Sequence, residues 1–415
     1  GNVAGGVLIA APNSSTSTET TGSIQSYGSS PGLQIGGANN IAIGTVASND
    51  GTYSVAVDGS VTANAYYSST NAYGIVIGGK GGNVNLAGGI GINGNVTATT
   101  NDANATAILI NQGSTVPTLY VSGTVKAAST SLGISAYAVR DLSGTLTTVN
   151  NTGFITSNQG SQSGAIDLSA NTSGVTVKQY LNATDAASQK TDKAAAGYNV
   201  DTATVYAAIT GNIYTGSGND TLDIETGKIT GNTFLGAGND TVIMADDSKY
   251  IGNIDFGTGT ATMTMGGNSR FTGTLIFNDQ PATLTLNDSS IWRGTVTGGS
   301  QATVNVNSGL FAANATGNIA VNSLNVGANG TLGVYVDGTT GTSSTFVTNT
   351  ATFASGSKIT ASLTSIAKAE GTYTVLTSNG LTGASNLSAS NLALPVLYAG
   401  TLATQISAPA AQARR

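Results

Sequence analysis

The chain of 415 residues contains no cysteine and no histidine. The first absence excludes disulfides and thiolate metal sites, and the second removes the commonest metal ligand and general base. Charge is also scarce. Asp, Glu, Lys and Arg make up only 8% of residues and the net charge is -6. No Lys/Arg cluster precedes the terminal Arg414-Arg415 pair, so the sequence carries no nucleic-acid footprint. No apolar run approaches the roughly 20 residues a helix needs to cross a bilayer. The chain starts at Gly1 with neither Met nor a signal peptide, as expected of a processed or excised piece.

What is abundant is glycine, at 57 residues, together with Thr, Ser, Asn, Ala and Val. That mixture favours strands and turns over helices. With 39% hydrophobic residues and little charge, the chain also lies outside the usual disordered class.

Between residues 205 and 330, three columns of apolar positions recur with a period of about 21 residues. The first opens on Gly: Gly211-Asn212-Ile213, Gly231-Asn232-Thr233, Gly252-Asn253-Ile254, Gly273-Thr274-Leu275 and Gly294-Thr295-Val296. The second alternates apolar and polar, placing Leu222, Val242, Met263, Leu284 and Val304 at equivalent positions. The third is rich in aromatics: Ile229, Tyr250, Phe271, Trp292 and Phe311. Hairpins would reorder these columns, whereas a coil stacks them. The reading is therefore an all-β, right-handed parallel β-helix with three short strands per coil. Handedness comes from the family resemblance given below. The N-terminal half repeats the pattern at Gly59, Gly94, Gly123 and Gly153, with longer coils. Dividing the chain by the repeat length gives roughly 14 to 19 coils and a rod about 70 to 90 Å long at the strand spacing.

The expected organisation is a β-helix of long irregular coils over residues 1–181, a charged Ala-rich excursion over 182–204, and a regular β-helix over 205–330. A C-terminal cap over 331–400 and a tail over 401–415 follow. Asp185, Lys190, Asp192 and Lys193 mark the excursion, which reads as a short helix or solvated loop, with a partner-binding protrusion as the alternative.

The N-terminal phrases around Gly5-Gly6-Val7-Leu8-Ile9-Ala10-Ala11-Pro12 and Thr21-Gly22-Ser23-Ile24-Gln25-Ser26-Tyr27-Gly28, and the phrase from Leu142 to Gly153, resemble coil motifs of bacterial type V autotransporter passengers. The resemblance is to the Gly/Asn/Thr-rich passengers of sphingomonad-like alphaproteobacteria. Ala351-Thr352-Phe353-Ala354-Ser355-Gly356-Ser357-Lys358-Ile359, followed by Glu370-Gly371-Thr372-Tyr373-Thr374-Val375, is similar to a passenger end just before the translocating barrel. The resemblance covers most of the chain through degenerate phrases. It implies export to the bacterial cell surface or outer membrane and a structural or adhesive role. The partners it implies are further copies of the chain or cell-surface glycans and proteins, with membrane contact only through a barrel that this sequence lacks. The absence of Cys fits threading across a membrane.

Two phrases, Gly216-Ser217-Gly218-Asn219-Asp220-Thr221-Leu222 and Gly236-Ala237-Gly238-Asn239-Asp240-Thr241-Val242, resemble the glycine-rich nonapeptide that binds Ca²⁺ in repeat-in-toxin proteins. They are 20 residues apart instead of nine, which favours a corner with an Asn ladder. The same spacing stacks Asp220 on Asp240, making this pair the calcium candidate; no other cofactor is expected. A polysaccharide lyase or hydrolase would draw acids from Asp220, Asp240, Asp246, Asp247 and Asp255. With no His and no nucleophile elbow, the expectation is a non-enzymatic protein. Among 15 Tyr, residues 53, 66, 67, 73, 120 and 137 lie in the long-coil half and are candidates for sugar or protein contact. Tyr66 and Tyr67 cannot both face inward on a strand, so one of them is expected to point to solvent, and Arg140, Arg270 and Arg293 are expected to be isolated surface charges.

Overall fold

A computed structural model describes residues 2–11, 21–131, 133–158, 163–365, 367 and 371–390. Pro12, Glu370 and the tail over 401–415 lie outside the described residues. Among the described residues the chain is all-β apart from one α-helix and one 3-10 turn, and its strands pair overwhelmingly in parallel, in a solenoid-like arrangement. It divides into two compact units, residues 1–260 and 261–415.

In the first unit the apolar columns form three continuous in-register files. One runs Val55, Ile90, Leu119, Val149, Val177, Leu222, Val242. A second runs Val61, Val96, Val125, Ile155, Ile209, Ile229, Tyr250. The third runs Ile75, Ile108, Val139, Ile166, Ile213, Thr233, Ile254. All of these residues are buried. Burying one such aliphatic side chain is worth about 1.5–3 kcal/mol, so the files are the main source of stability. The Gly59, Gly94, Gly123 and Gly153 series leads into the second file, continuous with Ile229 and Tyr250, and not into the Gly211 column. Glycine is required there because a Cβ on Gly94 would overlap the Gly59 carbonyl one repeat earlier.

The corners of this unit carry Asn ladders. The Asn232 N–H donates to Asn212 Oδ1 at 3.0 Å, and the Asn253 N–H to Asn232 Oδ1 at 2.9 Å. Gly231 and Gly252, just before them, have φ of +141° and +146°, so the chain breaks between strands Lys228–Thr230 and Thr233–Phe234. One departure from parallel pairing is the hairpin of Ile41–Ser48 with Gly51–Tyr53.

In the second unit the same columns merge. Arg270–Ile276 and Ile291–Thr297 each run straight through the expected corner, giving two strands per repeat where three were expected. The physical reason is at the corner: Thr274 and Thr295 replace Asn, their hydroxyls meet at 2.8 Å, and β-branched residues hold the backbone extended. Phe271 and Trp292 stack with ring centroids 6.2 Å apart, and Trp292 and Phe311 at 4.4 Å. Met263, Leu284, Val304 and Leu324 form the parallel aliphatic file. A true reversal does occur, contrary to the coil-only expectation, but only as a short hairpin: Val336 and Asp337 lie opposite Ser343 and Thr342, while Gly317–Val326 and Ser344–Phe353 run in the same direction. After the Glu370–Val375 phrase, the next strand is Leu376–Thr382.

The excursion contains the helix Ala183–Ala194. Asn182 caps it, its side chain accepting the Asp185 N–H at 2.9 Å, while Asp185 and Lys193 sit at the ends the helix dipole favours. No helix residue is buried. Polar contacts dock it instead: Gln189 donates to Thr226 at 2.9 Å, and Lys193 pairs with buried Asp247 at 2.6 Å.

Candidate functional site

The two Gly-Asn-Asp corners are the most specific polar feature of the first unit. Alternation along the strand that follows turns Asn219 and Asn239 outward and Asp220 and Asp240 inward, the two Asp being 2% and 1% exposed. The hydrogen bonds then run in opposite directions. Asn219 Oδ1 accepts the Asn239 N–H at 2.8 Å and Asn239 Oδ1 accepts the Thr260 N–H at 2.9 Å, each reaching forward one repeat. Asp220 Oδ1 accepts the Val175 N–H at 2.8 Å and Asp240 Oδ1 accepts the Asp220 N–H at 2.9 Å, each reaching back. The Oδ2 atoms of both Asp are buried with no hydrogen-bond partner. Burial pushes both carboxyls up, Asp240 to about 6, with its Asp220 neighbour adding to the rise. The Asn ladder and the stacked Asp pair thus coexist at one corner. Among the described residues no group of three or more His, Cys, Asp or Glu is positioned to hold a metal.

The other candidate acids have separate duties. Asp246 is exposed in a turn at φ +43°. Asp247 receives Lys193 and, at 2.8 Å, the Tyr198 hydroxyl. Asp255 accepts the Gly257 N–H at 2.9 Å.

The outer face carries tyrosines in short stacks. Tyr53 and Tyr120 lie nearly parallel with centroids 6.2 Å apart, and a Cβ on Gly91 would strike the Tyr53 ring. Tyr66 and Tyr67 are 63% and 77% exposed, so the solvent-facing position expected of one of them holds for both; they lie just beyond the strand Ser60–Ala65, where strand alternation no longer applies. Tyr66 stacks on Tyr27 at 6.0 Å. Arg140 is not isolated, since it pairs with Asp167 at 3.2 Å and lies over the Tyr137 ring at 4.5 Å. Arg270 likewise donates to the carbonyls of Asn268 and Ser289, both at 2.8 Å.

One polar cluster has no counterpart in the sequence reading. Ser122 donates to Asp50 at 2.6 Å and to Asn93 at 3.0 Å, and Asn93 and Ser48 both donate to Asp58 at 2.6 Å. Burial raises the Asp50 carboxyl, and Asp58 adds to it. These residues come from a hairpin and three repeat corners, so only the fold brings them together.

No family profile, curated protein or solved structure matches this all-β, parallel, solenoid-like chain.

Proposed function

We propose that the chain is an exported, non-enzymatic surface protein whose first unit is a right-handed parallel β-helix with three strands per coil, of the type V autotransporter passenger kind. The observation that carries this reading is the set of three inward apolar files. They consume the hydrophobic residues in a scaffold and leave Thr, Ser, Asn and Tyr outside. Right-handedness follows from the strong preference of parallel crossovers for that hand. A cysteine-free chain with repeat-by-repeat contacts suits passage across a membrane as an extended polypeptide and folding afterwards. The test is protease shaving of intact source cells with a site-specific antibody as readout. Surface exposure lost when the outer-membrane translocator is removed supports the proposal; retention inside the cell sinks it.

Two tasks follow for the outer faces. Self-association is favoured by Asn2–Gly5, Val7–Ile9 and Ser23–Tyr27, which pair on one side only among the described residues while Val3 and Leu8 stay 48% and 39% exposed. Adhesion to glycans is favoured by the exposed Tyr27, Tyr66 and Tyr67. Electron microscopy of ordered fibres or layers supports the first. Glycan-array binding abolished by Tyr66→Ala with Tyr67→Ala supports the second. Glycan cleavage abolished by Asp240→Asn would replace both with an enzyme.

A further inference from the structure

The stacked Asp pair leaves two buried carboxylate oxygens unmatched, and their spacing suits a particular ion. Thr221 pairs in register with Thr241, so Asp220 and Asp240 occupy equivalent rungs. Both use the same contact, Oδ1 accepting the N–H one repeat back, at 2.8 and 2.9 Å. Equivalent positions in neighbouring parallel strands are about 4.8 Å apart, which sets the rung spacing of the two carboxyls. Calcium bonds to oxygen at about 2.3–2.6 Å, so one ion between two oxygens spans about 4.6–5.2 Å. Magnesium, at about 2.0–2.1 Å per bond, spans too little. A further oxygen is near: the Thr215 hydroxyl lies beside the Asp220 carboxyl and donates to the Leu235 carbonyl at 2.9 Å, leaving its lone pairs available.

We infer that Asp220 and Asp240 hold one calcium ion between their Oδ2 atoms, with Thr215 Oγ1 as a further ligand. The argument rests on the orphaned oxygens and the rung spacing, not on the glycine-rich phrase, whose tandem nine-residue geometry is absent. The ion neutralises two carboxylates buried against apolar side chains, which is otherwise a repulsive arrangement. With only two charged ligands, affinity falls in the range of about 10⁻⁴–10⁻³ M typical of extracellular modules. The competing occupant is a proton on Asp240.

The test uses the full chain, refolded at pH 7.5 in chelator, in calcium chloride or in magnesium chloride, because metal binding couples to folding. Thermal unfolding and titration calorimetry are the readouts. The expected result is a saturable calcium-dependent rise in Tm, one bound ion, and little response to magnesium. Asp240→Asn should unfold at a higher temperature than the wild type in chelator and show no calcium response; Asp220→Asn provides the same readout if that variant does not fold. A wild type insensitive to calcium, whose Tm rises only when pH falls towards 5, would assign the position to a proton and overturn the inference. A calcium response that survives in either variant would place the ion elsewhere and overturn it equally.

Discussion

At the scale of single residues, the most informative groups are those whose neighbours leave something unmet. Burial raises the Asp240 carboxyl to about 6, well above the usual carboxylate range. A carboxyl whose folded pKa is raised contributes most below its unfolded pKa and loses that contribution as pH rises through the folded value. In chelator, stability should therefore increase as pH falls from 7 to 4. The upper bound at pH 7 is roughly 2–3 kcal/mol for a shift of about two pKa units. Asp240→Asn, which keeps the Oδ1 acceptor for the Asp220 N–H, should raise Tm at pH 7 and flatten the pH profile. Thermal melts across that window check both. Trp292 is a second such group: its indole Nε1 is buried without a partner between Phe271 and Phe311. Trp292→Phe removes the unmet donor and continues the Phe file, so it should cost less than about 1 kcal/mol, whereas Trp292→Ala should cost about 3–5 kcal/mol. Denaturant midpoints would separate the two outcomes, and equal losses would contradict this account.

At the scale of elements, the docked helix behaves differently from the strands. Ala183–Ala194 buries none of its residues, so its position depends on polar contacts, chiefly Lys193 on Asp247, whose side chain is 2% exposed. Lys193→Met should destabilise by about 1–3 kcal/mol because it leaves a buried carboxylate without its cation. Lys193→Met combined with Asp247→Asn should recover much of that loss. A double-mutant cycle by urea unfolding measures the coupling; additive effects would show that the ion pair does not hold the helix. The corners show how one residue type sets the number of strands. Asn232 and Asn253 break the chain into separate strands, while Thr274 and Thr295 let it run on. The 21-residue period was readable because Leu222, Val242 and their equivalents alternate with Thr. The merging of two strands was less visible, because Gly273-Thr274 and Gly252-Asn253 look alike as turn signals and differ only in what the second side chain bonds.

At the scale of the whole molecule, periodicity in the sequence mapped the first unit well, because each apolar position answers to the same position one repeat away. Even the uneven intervals between Gly59, Gly94, Gly123 and Gly153 come into register, the extra residues being accommodated in loops such as the one where Ser69 N–H donates to Asp102 at 2.7 Å. The hairpin that sets Val336 and Asp337 opposite Ser343 and Thr342 was hidden, since alternation marks a strand but not where the chain reverses. The Asn–Asp corner was visible as a motif. Its opposed bonding, Asn forward and Asp back, was not, nor was the Asp50–Asp58 cluster assembled from residues up to 72 positions apart.

The central claim is that successive repeats of the first unit stack in parallel with one fixed register. Because the chain has no native cysteine, a double substitution reads that register directly. Thr221 lies opposite Thr241, within the Cα separation of about 4.4–6.8 Å that a disulfide accepts. Oxidation of the Thr221→Cys, Thr241→Cys chain should give an intramolecular cross-link, seen by mass spectrometry, while Thr221→Cys with Ile243→Cys, two positions out of register, should give little. Efficient closure of the second pair and none of the first would contradict the stacked-repeat account.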